Sequence, residues 1–285
     1  MSLTSIDTVE LQAQTLALRW KAHFAEQDAA LHYTQVETAR FLEVAPGIWL
    51  VGIVDAEGDD FFGEWKTSGP RAAKTWKKDW VMSPQALTYG LLTGGKKRFL
   101  VRKVFKAAQP FCDHEWFEFG AGELDMWRNE ILRISHEIKR YQSDGNWPLD
   151  IINWPLNLEH GCFAYGPNYP CSLWAEGCSK LDFSVVPKDA LTRTTAVHAD
   201  VTSQRIIDMW GEFRGNNRWS LVKLIQDNPN AIVLSATRIK DWMRCREMYR
   251  RLHVEGLRFP PSEAMLIGSR FHELIADHNR RELYR

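Results

Sequence analysis

The chain has 285 residues and carries equal numbers of acidic and basic side chains, 36 of each. Its 45% share of hydrophobic residues suffices for a packed core and excludes global disorder, while zero net charge excludes a general affinity for nucleic acid through overall charge. No apolar run approaches the ~20 residues that a membrane helix requires. The polar start, Met1 to Asp7, lacks a signal-peptide pattern, so we expect a cytoplasmic protein without membrane association.

The first part of the chain predicts one helix followed by three strands. Residues 8–30 carry apolar positions at helical spacing and contain neither Gly nor Pro, which predicts a helix. Residues 33–44, 47–55 and 60–67 predict strands, and a turn rich in Gly and Asp joins the last two as a hairpin.

Helices and strands alternate in the next part. Pro84 fits the first turn of a helix that ends near Leu92, before a Gly-Gly pair. Two strands are predicted at residues 99–105 and 116–119, and a long amphipathic helix at 123–141. This order predicts an α/β fold in which helices flank a central mixed sheet.

Composition changes after the long helix and divides the chain into three predicted segments. Residues 1–180 form the main body, which ends in a stretch rich in Pro, Gly and Cys. Residues 181–230 predict a connector with helical pieces at 202–212 and 219–226. Residues 231–285 predict a separate C-terminal unit.

The hairpin carries three charged side chains suited to metal-dependent chemistry. Asp55 closes its first strand, and alternation places Glu64 and Lys66 on one face of the second. Two carboxylates can hold a divalent cation and an ammonium can stabilise negative charge, which is what phosphodiester hydrolysis needs. For the triplet alone, a solvated strand end is an equally good explanation.

With its flanking residues, the triplet resembles the PD-(D/E)XK nuclease superfamily, and its RecB-like branch in particular. Gly52-Ile-Val-Asp55 is similar to that branch's Gly-x-x-Asp strand. Glu64-Trp65-Lys66-Thr67 is similar to its Asp-Tyr-Lys-Thr motif, with Glu in place of Asp, and Gln85-Ala-Leu-Thr-Tyr89 matches its Gln-x-x-x-Tyr helix. The resemblance implies a restriction-endonuclease-like core.

A second part of the resemblance lies at the C-terminal end of the chain. A Ser-led helix carries Cys245, and Gly268-Ser-Arg-Phe-His272 follows. In RecB-like nucleases such a unit opens the domain, so this sequence resembles a circularly permuted member. A fragment of a tandem array, or a unit that completes a neighbouring chain by swapping, are the alternatives.

The resemblance also implies roles for these residues. One or two Mg²⁺ or Mn²⁺ ions would be held by His272, Asp55, Glu64 and the backbone carbonyl of Trp65. Lys66 would orient the attacking water or stabilise the phosphate, and Gln85 and Tyr89 would brace the DNA backbone or that lysine. Glu37 is either a carboxylate near the metals or a plain strand charge.

The cysteines suggest a second metal site. Cys162, Cys171 and Cys178 lie close together in the sequence, and Cys245 offers a fourth thiolate. Resemblance to AddB and to the CRISPR-associated relatives implies a [4Fe-4S] cluster. The spacing here is looser than theirs, so Zn²⁺ and unligated thiols stay open. Cys112 is predicted to be an ordinary thiol.

The function that follows is a metal-dependent DNA exonuclease acting on single strands or duplex ends in recombination, repair or phage DNA metabolism. A helicase or recombination protein is the expected partner. An endonuclease of the same fold and a non-catalytic DNA-binding subunit are the alternatives. Two basic groups are candidates for phosphate contacts. The first comprises Arg71, Lys74, Lys77 and Lys78. The second comprises Lys96, Lys97, Arg98, Arg102 and Lys103, for which a solvated basic surface is an equally good explanation. Trp76 and Trp80 are candidates for base stacking.

Overall fold

The computed structural model describes residues 3–144, 231–254 and 263–283. The chain divides into two compact units. Unit 1 comprises Met1–Leu42, Val51–Arg128 and Pro260–Arg285, and unit 2 comprises Glu43–Leu50 and Asn129–Phe259. These bounds differ from the three segments expected from the sequence, which stay predictions.

The described residues form six strands, six α-helices and a few single turns. The strands are β1 (Tyr33–Ala45), β2 (Ile48–Gly58), β3 (Phe61–Ser68), β4 (Arg98–Phe105), β5 (Phe111–Glu118) and β6 (Ile232–Leu234). The α-helices are α1 (Leu3–Ala30), α2 (Pro84–Leu92), α3 (Ala121–Asp144), α4 (Ala236–Arg244), α5 (Arg246–Tyr249) and α6 (Glu263–Leu283). Two 3₁₀ turns, Pro70–Lys74 and Lys78–Trp80, connect β3 to α2, and a π-helical turn spans Arg250–Val254.

The strands make one mixed sheet in the order β1-β2-β3-β4-β5, with β6 also paired to β2. β2 and β3 are antiparallel, β3 and β4 are parallel, and β4 and β5 are antiparallel. The parallel β3–β4 pair requires a crossover, which the α2 segment supplies. The predicted α/β class with a mixed central sheet and flanking helices is therefore confirmed.

The core of unit 1 lies between one face of the sheet and the pair α1 and α6. Trp20 of α1 is fully buried and makes edge contacts with Trp65 of β3 at 5.5 Å and Phe271 of α6 at 5.4 Å, measured between ring centroids. Burial of three such rings contributes several kcal/mol and holds the C-terminal helix against the N-terminal one. Trp20 and Trp65 are therefore core residues.

Unit 2 is described in part. The start of β2 pairs in parallel with β6, Ile48 opposite Ile232. Ser235 caps α4, because its side chain accepts a hydrogen bond from the Arg238 backbone N–H. Cys245 follows α4 directly and is half-buried.

One strand begins earlier than its sequence pattern predicts. We expected a strand at residues 116–119, whereas β5 starts at Phe111. Its first half contains Asp113, His114 and Glu115, which lack the apolar alternation of a strand. Their backbones pair in register with residues of the buried strand β4. This backbone pairing extends β5 through residues whose side chains do not show a strand pattern.

Candidate active site

The candidate site lies in unit 1, where β2, β3 and α2 come close together. Gly52 of β2 is required by this approach, because a Cβ atom there would lie 2.9 Å from both the Tyr89 ring and Leu92 Cδ1 of α2. The glycine of the Gly-x-x-Asp pattern thus lets α2 pack closely on the strand that carries Asp55.

The hairpin brings its three charged residues together as the sequence predicts. Asp55 and Glu64 lie one residue beyond the paired Ala56 and Gly63 on their strands. One Asp55 carboxylate oxygen accepts a hydrogen bond from the Trp65 backbone N–H at 2.7 Å. Lys66 Nζ forms an ion pair with Glu64 Oε1. The Trp65 side chain packs on the opposite face, and its carbonyl as a metal ligand stays a prediction.

Glu64 is the most constrained ionisable group of the site. It is 1% exposed, and its Oε2 atom is buried without a hydrogen-bond partner. Burial, then the neighbouring Asp55 carboxylate, raise the pKa of Glu64 to about 8, against the opposing effect of Lys66. A buried carboxylate with an unused oxygen is short of one positive partner, and a cation would supply it.

Lys66 stays cationic in this setting. Burial disfavours its ammonium form, but the carboxylates of Glu64 and Asp55 outweigh burial and raise the pKa of Lys66. Its side chain is 31% exposed, so the ammonium can reach a substrate from the site.

Gln85 and Tyr89 face the hairpin from α2. The Gln85 side-chain amide donates to Glu64 Oε1 at 2.6 Å, and its nitrogen is 3.5 Å from the Tyr89 hydroxyl. Burial first, then the charges of Glu64 and Asp55, raise the pKa of Tyr89, so the phenol stays neutral. Gln85 therefore orients the Glu64 carboxylate and Tyr89 lies beside Gln85, while the expected contacts of both residues with DNA or with the lysine stay predictions.

His272 reaches the site from the other end of the chain. Gly268 of α6 lies against β3, where an added Cβ would be 3.2 Å from Thr67 Oγ1. This close approach places His272, one helical turn later, with Nδ1 at 3.8 Å from Asp55 Oδ2. The expected meeting of His272 with Asp55 is thus what the structure shows.

Glu37 belongs to the same group of potential ligands. One atom each from Glu37, Asp55 and His272 lie within 4.8 Å of one another. Ligands of one Mg²⁺ ion lie at most about 4.2 Å apart, twice a bond length of about 2.1 Å, so a side-chain adjustment of less than about 1 Å suffices. Two carboxylates and an imidazole, beside the unused oxygen of Glu64, fit a divalent cation such as Mg²⁺ or Mn²⁺.

The sequence does not decide the role of Glu37, and the backbone conformation of this residue explains why. Among the described residues, Glu37 is the one non-glycine residue with a positive φ, 52°. This left-handed conformation redirects the side chain of a residue in the middle of β1, which strand alternation does not foresee. Strain at a carboxylate that faces two other ligands is typical of a functional position.

Three contacts expected from the sequence are wrong. Trp76 and Trp80 are 0% and 6% exposed, so they anchor the segment between β3 and α2 and cannot stack on bases. Arg102 is 1% exposed and pairs with Asp28 between the rings of Phe24 and Trp65, so it does not contact phosphate. Alternation along β4 points Arg102 to the face covered by α1, and grouping Arg102 with the nearby Arg98 and Lys103 as one basic cluster overlooks this.

The remaining basic residues differ in their partners. Lys77 pairs with Glu115 at 2.7 Å, Lys96 with Glu57 at 3.4 Å, and Arg98 with Asp60 at 3.1 Å. Arg71, Lys74 and Lys78 are exposed and have no ion pair within the described parts of the chain. These three extend from the segment that joins Lys66 to Gln85.

The predicted iron-sulfur or zinc site falls mainly outside the described residues, since Cys162, Cys171 and Cys178 lie there. Cys245 is a half-buried thiol that forms no disulfide within the described residues, and its backbone N–H donates to the Asp241 carbonyl at 2.9 Å. Cys112 is also free, and burial raises the pKa of its thiol to about 11, which suits an unreactive residue.

In comparisons with known proteins, the chain matches no protein-family model, no curated protein and no solved structure. Over residues 3–144, 231–254 and 263–283, none of the helices is both long and apolar enough to cross a membrane.

Proposed function

We propose that the chain is a divalent-metal-dependent deoxyribonuclease with a PD-(D/E)XK core of the RecB-like kind, acting as an exonuclease. One observation carries the proposal. Glu37, Asp55 and His272 offer ligand atoms within 4.8 Å of one another, beside a buried Glu64 that has an unused oxygen and an ion pair to Lys66. Carboxylates, an imidazole and a lysine in one place are what metal-assisted phosphodiester hydrolysis requires.

A Mg²⁺ or Mn²⁺ ion in this group would polarise the scissile phosphate and make the attacking water more acidic. Asp55, Glu37 and His272 are the residues that would hold it. Asp55 is itself fixed, because the Trp65 backbone N–H holds one of its oxygens. A carboxylate that a hydrogen bond already holds in place loses little conformational freedom when it binds a cation.

Lys66 and Gln85 serve the substrate side of the reaction. Gln85 holds the Glu64 carboxylate in place, and Glu64 in turn holds the Lys66 ammonium. The partly exposed ammonium can then stabilise the charge that develops on the phosphate oxygens during attack.

DNA is proposed as the substrate because of basic residues in the segment that joins two elements of the site. Arg71, Lys74 and Lys78 have no acidic partner among the described residues, and they lie between the strand of Lys66 and the helix of Gln85. Unpaired surface cations supply the sequence-independent part of the affinity for a phosphate backbone. The zero net charge of the chain makes this local excess the relevant quantity.

The decisive experiment is hydrolysis of end-labelled linear DNA by the purified chain with Mg²⁺, Mn²⁺ or EDTA. We expect release of short products from linear single-stranded or duplex DNA, only with a divalent cation. Asp55→Ala should abolish release, and Lys66→Met should reduce its rate by roughly 100-fold or more, as expected when a group that stabilises the transition state is lost. Asp60→Ala is the matched control, since Asp60 lies on the same hairpin and its pair with Arg98 is exposed.

Closed circular DNA separates the two modes of cleavage. An exonuclease leaves it intact, whereas an endonuclease nicks it. Binding of DNA without hydrolysis under any cation would leave the chain as a DNA-binding subunit. Hydrolysis by Asp55→Ala at the rate of the unaltered chain would refute the assignment of the site.

A further inference from the structure

Lys103 is a buried lysine next to the candidate site that the chemistry above does not use. In the parallel pairing of β3 and β4, Lys103 is the direct partner of Lys66, so the two side chains lie on the same face of the sheet. Lys103 is 7% exposed, and a lysine is rarely buried this far unless its charge is paired.

Lys103 forms no ion pair with a carboxylate within the described residues, although the more distant charge of Asp79 acts on it. Its neighbour across the β4–β5 register is Asp113. That carboxylate is engaged elsewhere, because it accepts a hydrogen bond from Trp76 Nε1 at 3.0 Å and from the His114 backbone N–H at 2.8 Å, with Lys77 Nζ at 3.7 Å.

The contact that Lys103 does make is a weak one for a buried cation. Its ammonium lies 5.2 Å from the centroid of the Trp76 ring. Such a contact offsets only part of the cost of removing an ammonium from water. Accordingly burial, together with repulsion from Lys66, lowers the pKa of Lys103 against the opposing charge of Asp79.

We propose that Lys103 binds a phosphate oxygen of the DNA strand held at the site, an inference that rests on the proposed nuclease function. A phosphodiester oxygen would be the directly paired anion that Lys103 lacks among the described residues. Lys66 and Lys103, side by side on adjacent strands, then contact phosphate together, while the acidic group holds the cation. Lys103 acts as a positioning residue for the strand.

The salt dependence of binding is the readout that distinguishes a phosphate contact from a structural role. Binding of a labelled single-stranded oligonucleotide is measured by anisotropy in EDTA, where no hydrolysis occurs, over a range of salt concentrations. Lys103→Met should weaken binding by about tenfold at low salt, as expected for one charged hydrogen bond. The slope of log K against log salt should become shallower by about 0.7, as expected for one phosphate contact fewer.

Two variants serve as controls. Lys103→Arg keeps the charge and should restore the slope. Lys21→Met removes a lysine from α1, which packs on the other face of the sheet, and should leave the slope unchanged. Removal of an unpaired buried cation should also leave Tm equal or higher for Lys103→Met, whereas a structural lysine would lower Tm when removed.

Each outcome decides the matter. An unchanged slope for Lys103→Met overturns the inference, whether or not the chain hydrolyses DNA. If the unaltered chain binds no DNA, the proposed function fails, and pyrophosphate then tests the lysine by itself. A Tm increase with pyrophosphate that Lys103→Met abolishes supports an anion site at Lys103 independent of DNA, and no such increase overturns it.

Discussion

Replacement of Glu64 by Gln should change how the stability of the metal-free protein depends on pH. Glu64 is buried beside Asp55, and its pKa in the folded chain is about 8 against 4.5 for an unperturbed carboxyl. A group whose pKa is raised by folding stabilises the folded state below its unfolded pKa, and this stability is lost as pH rises through the folded pKa. The window for Glu64 is therefore about pH 4.5 to pH 8.

The magnitude follows from the difference between the two pKa values. A tenfold difference in proton affinity corresponds to about 1.4 kcal/mol, so loss of the proton costs the folded state at most about 5 kcal/mol. Gln has the shape of protonated Glu and cannot ionise. Its carbonyl can still accept the hydrogen bond that Gln85 donates to Glu64. The Glu64→Gln variant should therefore not lose stability in this way as the pH rises.

Urea unfolding in EDTA at pH 5, 6, 7 and 8 measures the effect. Subtraction of the Glu64→Gln curve from that of the unaltered chain removes the contributions of the titrating groups that do not interact with Glu64. We expect the unaltered chain to lose several kcal/mol relative to the variant between pH 5 and pH 8. Excess Mn²⁺ at pH 8 should restore stability to the unaltered chain, because a ligand of the folded state alone stabilises it. If the stabilities of the unaltered chain and of Glu64→Gln change with pH in the same way in EDTA, ionisation of the buried Glu64 does not have this cost.

Three further outcomes are expected. Glu37→Gly should raise the free energy of unfolding by about 1 kcal/mol, because glycine accepts the positive φ, and should weaken Mn²⁺ binding measured by calorimetry. Asp28→Asn should lower the free energy of unfolding, measured in urea, by about 3 kcal/mol, because the buried Arg102 loses its one anionic partner among the described residues. A decrease of less than about 1 kcal/mol would contradict this account. Anaerobically purified chain should absorb in the visible near ~400 nm if thiolates hold iron, and Cys245→Ser should reduce that band, whereas colourless protein with stoichiometric zinc would favour the zinc alternative.

The sequence predicts local parts of the site better than distant ones. Asp55, Glu64 and Lys66 are close in sequence, and alternation along a hairpin suffices to bring them together. Gly52 and Gly268 could be recognised as positions of close approach only through the resemblance, because their neighbours, Tyr89 and Thr67, belong to other elements.

The errors have a common physical origin. Sequence composition reports which side chains are polar, but it does not report which face of the sheet a helix covers. Trp76 was expected to be exposed because lysines surround it, yet it is fully buried. Arg102 and Lys103 are adjacent in a basic run, and alternation directs the first into the α1 core and the second to the face of Lys66.

The site depends on contacts between the two ends of the chain. His272 can approach Asp55 only when α6 is packed on α1, through the contact of Phe271 with Trp20 and the ion pair of Arg270 with Glu10 at 2.7 Å. The exposed ion pair contributes little, so the buried rings supply most of the energy of this packing. Within the described residues α6 belongs to the same compact unit as α1, and completion of a neighbouring chain by swapping stays an alternative. Any substitution that loosens the rings, such as Phe271→Ala, should therefore lower metal affinity along with stability, even though Phe271 offers no ligand atom to the cation.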